Sequence, residues 1–263
     1  MNYTTPQLKI TFLGTGTSTG VPMIASKHPV AKSKDPRDKR LRSSIMISWD
    51  DKNYVIDCGP DFRQQMLREE VQSINGILFT HEHADHIAGL DDIRPFGFQL
   101  GKVPIYTSES VLRILKKRYD YIFATKNRYP SAPSVNPHII SHKQAFNLSE
   151  VLVTPIEVMH GNLPILGYRF NTIAYITDAK TISKTEQKKL QNLDVLIITG
   201  LRKEPHNTHF NIEEALNFIK QINPKKAYLT HVSEQLGFHA EAEKELPQNV
   251  FLAYDGLILT VNK

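Results

Sequence analysis

The run His81-Glu82-His83-Ala84-Asp85-His86 constrains this chain more than any other stretch, because it directly follows Ile74 to Phe79, an apolar segment patterned like a buried strand. Whatever fold forms must bring imidazoles and a carboxylate out at that strand's tip. Neutral imidazole and ionised carboxylate are the donors that zinc, manganese and iron accept. Residues two apart in extended backbone point to the same side, so His81 and His83 can grip one cation together. Asp85 and His86 follow where a turn feeds a helix expected from Ile87, and they can face a second cation. The helical zinc-protease pattern H-E-x-x-H is excluded, since Asp85 occupies the place of its second histidine. A loop that is histidine-rich by accident is the competing reading, but 11 histidines in 263 residues rarely fall at these offsets by chance.

Apolar strands with polar residues at their ends recur along the chain. Leu8 to Leu13 alternates as a strand and runs into Gly14-Thr15-Gly16-Thr17-Ser18-Thr19-Gly20, a turn that reads as the rim of a site; without a following G-K-[ST] it is no nucleotide loop. Ser44 to Trp49 and Asn53 to Asp57 read as a hairpin around Asp50-Asp51-Lys52, with capping of a helix from Phe62 as the alternative use of Asp57. Val103 to Thr107 is a strand and Glu109 to Tyr119 a helix; the chain to Asn147 then reads as loop, with Tyr121, Phe123 and Tyr129 expected in packing rather than in a pocket. Val151 to His160 is a strand, Ile165 to Phe170 with Ile173 to Thr177 a hairpin ending in Asp178, and Val195 to Thr199 a strand ahead of His206-Asn207-Thr208-His209. Ile212 to Ile222 has helical spacing, with Asn211 as N-cap and Pro224 past its end. Ala227 to Thr230 ends in His231, and Asp255-Gly256 is expected to turn a hairpin between Val250 to Ala253 and Leu257 to Val261.

With 40% hydrophobic residues and no linker, residues 1–263 read as a single domain. No apolar run approaches the roughly eighteen residues of a membrane span, and Met1 to Thr4 opens no signal-peptide pattern. The expectation is a soluble, cytoplasmic protein with no membrane partner. The one cysteine, Cys58, excludes an internal disulfide. A net charge of +5 favours an anionic substrate. Lys27, Lys32, Lys34, Arg37, Lys39, Arg40 and Arg42 share a proline-broken loop, read as a solvated charge run ahead of a phosphate-attracting lip.

The H-x-H-x-D-H run after an apolar strand resembles the metallo-β-lactamase superfamily of binuclear metal hydrolases, and the resemblance extends from Leu8 to Val261. It implies an α+β fold, a four-layer αββα sandwich of two mixed β-sheets. It also implies two divalent metal ions, zinc or manganese. His81, His83 and His160 would serve one ion, Asp85, His86 and His231 the other, and Asp178 would bridge them. Asp57 would orient a metal-binding histidine from behind.

Gly14-Thr15-Gly16-Thr17-Ser18, Gly20-Val21-Pro22, Arg40-Leu41-Arg42-Ser43-Ser44 and Asp57-Cys58-Gly59-Pro60-Asp61-Phe62-Arg63 together resemble one branch of that superfamily. It contains the phosphoribosyl cyclic phosphodiesterase of the carbon-phosphorus lyase pathway and is a cousin of the tRNA 3′-processing ribonuclease. The implied activity is hydrolysis of a small or cyclic phosphodiester through a metal-bridging hydroxide. His206, Asp85 and His209 are the catalytic candidates, with His206 foremost as proton donor to the leaving alkoxide, while Arg42 and Arg202 are candidates to hold substrate phosphate. The alternatives are a tRNA-processing endoribonuclease, for which no long RNA-gripping insertion is present, and a lactonase or thioesterase on the same scaffold. A small anionic phosphodiester is therefore the expected partner ahead of nucleic acid, and a homodimer is compatible. Where the branch places three cysteines and a histidine for a structural zinc, this chain has Ala25-Ser26-Lys27-His28-Pro29-Val30-Ala31 and Glu234. No third zinc is expected, and the loop from Lys27 to Arg42 should be looser. His138, His142 and His239 carry no motif and are expected at the surface or in the core.

Overall fold

Strands with apolar side chains on both faces make up most of the architecture in the computed structural model, which describes residues 6–261. The first half of the chain supplies β1 (Leu8–Gly14), β2 (Ser44–Trp49), β3 (Lys52–Ile56), β4 (Gly76–Leu78), β5 (Val103–Thr107) and β6 (Val135–Ile139). The second half supplies β7 (Phe146–Leu148), β8 (Val151–His160), β9 (Leu163–Phe170), β10 (Ile173–Ile176), β11 (Val195–Thr199), β12 (Lys226–Thr230) and β13 (Val250–Leu252), after which β14 (Ile258–Val261) returns to the first sheet. The two seven-stranded sheets have the orders β14-β1-β2-β3-β4-β5-β6 and β13-β12-β11-β10-β9-β8-β7. Each joins an antiparallel half to a parallel half, with β3 to β6 parallel in one and β10 to β13 parallel in the other.

Period-two alternation decides which side chains face the partner sheet. Ile10, Phe12, Ile45, Ile47 and Ile56 meet Tyr168, Phe170, Tyr175 and Ile197 in a buried layer between the sheets. Their strand neighbours point outward. Met46, Val55 and Ile77 pack against α1 (Phe62–Arg68), and α2 (Ala84–Ile87), α3 (Arg94–Leu100), α4 (Glu109–Arg118) and α5 (Asp120–Phe123) contribute to that outer layer. On the far side, following the short α6 (Lys184–Gln187), the Ala215, Phe218 and Ile219 face of α7 (Ile212–Ile222) covers Leu196, Ile198, Ala227 and Leu229; α8 (His239–Ala242) adds Ala242. Helices therefore lie outside two stacked sheets, the expected αββα sandwich.

Several expectations are corrected. The helix expected from Ile87 begins at Ala84, so Asp85 and His86 lie in its first turn. The stretch read as loop before Asn147 contains β6 and β7; β6 is an edge strand, the position where a sheet tolerates Pro137. Asp255-Gly256 turns no hairpin, because β13 and β14 belong to different sheets and the turn carries the chain across the sandwich. Turn residues specify a change of direction, not the sheet that receives the next strand. Asp57 caps no helix, since Asp61 occupies the N-cap of α1.

The loop from Lys27 to Arg42 is neither solvated throughout nor loose. Arg40 is buried, donating to Thr15 Oγ1 at 2.8 Å and to the Ala253 carbonyl, and lying 2.9 Å from His239 Nδ1. His239, which carries no motif, is thus a core residue answering a buried cation. Glu234 accepts the Met23 N–H at 3.3 Å, fastening the start of the same segment.

Candidate metal centre

The parallel strands of both sheets deliver their C-terminal ends to one rim, and the polar residues there come from six separate chain segments, at Asp57, His81 to His86, His160, Asp178, His206 to His209 and His231. The sharp exits strain the backbone: Asp57, Asp178 and His231 adopt left-handed conformations with φ of 67°, 57° and 57°. Gly59 permits the closest approach, since a Cβ there would lie 2.0 Å from the Asp85 carbonyl oxygen.

Hydrogen bonds behind the rings fix which nitrogen each histidine presents. Asp57, fully buried, accepts the Thr80 N–H and hydroxyl at 2.8 Å each and lies 2.7 Å from His86 Nδ1. Nδ1–H of His86 therefore donates to Asp57, and Nε2 turns its lone pair inward. The Thr80 hydroxyl spends its proton on Asp57, so it accepts from His81 Nδ1–H at 2.9 Å and leaves His81 Nε2, 3.1 Å from His83 Nδ1, as an inward-facing acceptor. His160 Nδ1 lies 2.9 Å from the Thr208 carbonyl, to which it donates, and again Nε2 is left. Thr80 and the Thr208 carbonyl were not singled out as functional from sequence. Thr80 adjoins the motif, a usable signal, whereas a backbone carbonyl has none.

The inward atoms form three overlapping sets: His81, His83 and His160; Asp85, His86, Asp178 and His231; and His160, Asp178 and His209, with one atom from each residue in a set lying within 4.8 Å of the others. His86 Nε2 is 3.1 Å from Asp85 Oδ2 and 3.2 Å from Asp178 Oδ2, while Asp178 Oδ1 is 3.0 Å from His231 Nε2 and 3.6 Å from His209 Nδ1. Acceptors thus face acceptors. His86 Nε2, His209 Nδ1 and both ring nitrogens of His231 have no hydrogen-bond partner among the described residues. An array of converging lone pairs around two carboxylates fits divalent cations.

The electrostatics say the same. Burial pushes the His81 and His83 imidazoles down, reinforced respectively by His86 and His160, so both favour the neutral form that a metal needs. Burial also disfavours charge on His86, yet Asp178, Asp57 and Asp85 outweigh it and raise its pKa well above the ordinary range, so the carboxylate field that would draw a proton onto Nε2 is the one that would hold a cation there in its place. Burial raises Asp178 and Asp85, but His231 and His86 prevail at the first and His86 at the second, holding both carboxyls down. Positive charge is favoured among these carboxylates.

The candidate acids separate clearly. His209 is buried, its ring 4.6 Å from His160 and 4.7 Å from His231, and burial with His231 lowers its pKa to about 2. His206 lies one ring further out, 4.9 Å from His209, its pKa lowered by burial and by Arg202. Arg42 is engaged elsewhere, bound by Asp61 at 2.9 Å and donating to the Ser18 carbonyl at 2.8 Å, so its guanidinium clamps the glycine-rich turn. Arg202 contacts Gln235 Oε1 and donates to the Pro205 carbonyl at 3.3 Å.

A domain family described as the β-lactamase superfamily domain matches residues 52–232, and the chain belongs to that superfamily of hydrolases. Its place within the superfamily is the PhnP branch: the crystal structure of a diphosphatase from the PhnP family superposes with a TM-score of 0.90 at 40% identity, over 97% of each chain. Ribonuclease Z of Methanococcus maripaludis is 27% identical over 260 residues, covering 93% of this chain and 74% of that protein. An octanoyltransferase of Porphyromonas gingivalis is 38% identical over 252 residues, 95% of this chain and 51% of the relative, so the chain spans about half that protein's length.

Proposed function

We propose that this chain is a binuclear metal-dependent hydrolase that cleaves a phosphorus–oxygen bond in a small or cyclic phosphodiester or in the phosphoanhydride linkage of a diphosphate. The observation that carries this reading is Asp178, which belongs both to the set of Asp85, His86, Asp178 and His231 and to the set of His160, Asp178 and His209, so one carboxylate is common to two neighbouring donor sets. His81, His83 and His160 would hold one divalent ion, zinc or manganese, and Asp85, His86 and His231 a second, with Asp178 shared. When bound, such ions supply Lewis acidity and make water a competent nucleophile near neutral pH.

The chain's own residues do the rest. Asp57, Thr80 and the Thr208 carbonyl keep three imidazoles in the tautomer that presents Nε2. His209 takes the foremost acid role that motif position suggested for His206, because its ring touches the donor array whereas His206 stands at the rim. An arriving phosphate brings negative charge that raises the His209 pKa, favouring the proton it would pass to the leaving oxygen. His206 and Arg202 would meet the substrate's outer portion.

The test is a metal count on the purified protein together with hydrolysis of an aryl phosphodiester, a cyclic phosphate panel and diphosphate diesters, with and without manganese. About two metal equivalents and metal-dependent cleavage are expected. His209→Ala should lower kcat about a hundred- to ten-thousandfold with metal retained; loss of metal would recast His209 as a ligand, and an intact rate would return the role to His206. The octanoyltransferase relative supports acyl-ester cleavage as a second reading, so p-nitrophenyl octanoate belongs in the panel; preference for it would displace the phosphodiester reading.

A further inference from the structure

The fold sorts the basic residues into two groups that look alike in sequence. Between Lys27 and Arg42 most cations are consumed internally: Arg37 pairs with Asp35 at 2.7 Å, Lys39 donates to the Val30 and Ala31 carbonyls, Arg40 is buried and Arg42 is held by Asp61. Residues 113–130 leave more of theirs unspent, with Arg118 held on the Glu82 carbonyl and Arg128 on Ser134 Oγ and the Ala132 and Pro133 carbonyls. They hold Arg113, Lys116, Lys117, Arg118, Lys126 and Arg128 against Asp120 as the lone acid. The α4 residues among them line its exposed face, opposite buried Val111, Leu112 and Leu115. Among the described residues no carboxylate pairs with Arg113, Lys116, Lys117 or Lys126.

This free charge lies beside the metal loop. Arg118 Nη1 donates at 2.8 Å to the carbonyl of Glu82, the residue between His81 and His83, and the Tyr119 hydroxyl donates at 3.2 Å to the carbonyl of Ile87. Arg113 lines a cavity of about 350 Å³ with Ser108, Ser110, Ser141, His142 and Thr80, which directly precedes His81. Further along the chain, three residues after Lys126, Tyr129 is 60% exposed. Arg113 and Lys116 or Lys117 stand about one helical turn apart, a spacing suited to successive phosphates. Unpaired cations on one helix face, followed in the chain by an exposed aromatic ring, match a surface that tracks a phosphate backbone and stacks bases.

We propose that α4 and the segment through Tyr129 form a binding face for single-stranded nucleic acid, which leads a bound strand past the metal loop. The proposal goes beyond the small-phosphodiester reading, and binding itself does not depend on that chemistry.

Fluorescence anisotropy of a labelled fifteen-residue oligouridylate with the full chain, at 50 to 200 mM KCl, tests it. Each phosphate neutralised on a single strand contributes about −0.7 to the slope of log K against log salt, so contacts from Arg113, Lys116 and Lys117 predict about −2. The double variant Lys116→Gln/Lys117→Gln should flatten that slope by about 1.4 and weaken binding roughly tenfold at 100 mM KCl, and Tyr129→Ala should weaken it roughly tenfold with the slope unchanged. Lys27→Gln/Lys32→Gln removes the same charge from the other basic loop and should leave the slope intact. Equal losses in the two double variants, no binding at 50 mM KCl, or tighter binding of a duplex of the same length would each overturn the proposal. Small-phosphodiester hydrolysis, followed in the same samples, should not change in these variants; its absence from the unsubstituted protein would count against the hydrolase reading and leave the binding face standing.

Discussion

Asp57 touches no open coordination position, yet it governs one. It is the acceptor for His86 Nδ1–H and, through Thr80, sets the tautomer of His81. Asp57→Asn should therefore fold but bind metal about ten- to a hundredfold more weakly, which a chelator-competition titration measures; unchanged affinity would mean that packing alone orients His86. The adjacent Cys58 tests burial without metal. Burial raises its thiol well above the ordinary value, so the thiolate fraction of the folded protein stays small even at pH 9, where a solvent-exposed thiol is largely ionised. Iodoacetamide at that pH should leave Cys58 unmodified over a period that fully alkylates the urea-unfolded chain. Donor residues were legible because imidazoles at strand ends stand out. Arg42 misled, since a sequence shows a cation but not the Asp61 that occupies it.

At the scale of elements, periodicity was a faithful guide where one face is buried: β8 and α7 have the bounds their patterns suggest. Asn211 and Glu214 make a reciprocal capping box on α7, and Asn211→Ala should cost about 1 kcal/mol, a fall in Tm of roughly 2–4 °C by calorimetry, with metal content unchanged. Gly59→Ala should do the reverse. Its new Cβ meets the Asp85 carbonyl at 2.0 Å and must displace the backbone that carries Asp85 and His86, so loss of metal binding should exceed loss of Tm. A variant with native metal affinity would show that the loop can yield. The helix at Ala84 was misplaced because its single turn is too short to display a period, and β6 because its proline argues against a strand interior.

Across the whole molecule, the rim is a cost to folding that bound cations would offset. Buried acceptors face one another there, with His86 Nε2 and both ring nitrogens of His231 unpartnered among the described residues. Zinc or manganese at a hundred times its Kd should stabilise the protein by about 2.7 kcal/mol per site, and a chelator should lower Tm accordingly; a Tm insensitive to both would remove the metal reading.

The chain by itself determined its alternating strands, its longer helices and the donors at the strand ends, because these follow from residues close together in sequence; the stacking of two sheets between helices was implied by the family resemblance. Tertiary structure alone decided that His209 lies inside the array and His206 at its rim, that β14 crosses to the first sheet, and that Arg40 is spent on Thr15 and His239 while Arg113 and Lys116 stay free. Each of those outcomes depends on partners far apart in the chain, whose meeting is set by burial and pairing in space and leaves no local pattern to read.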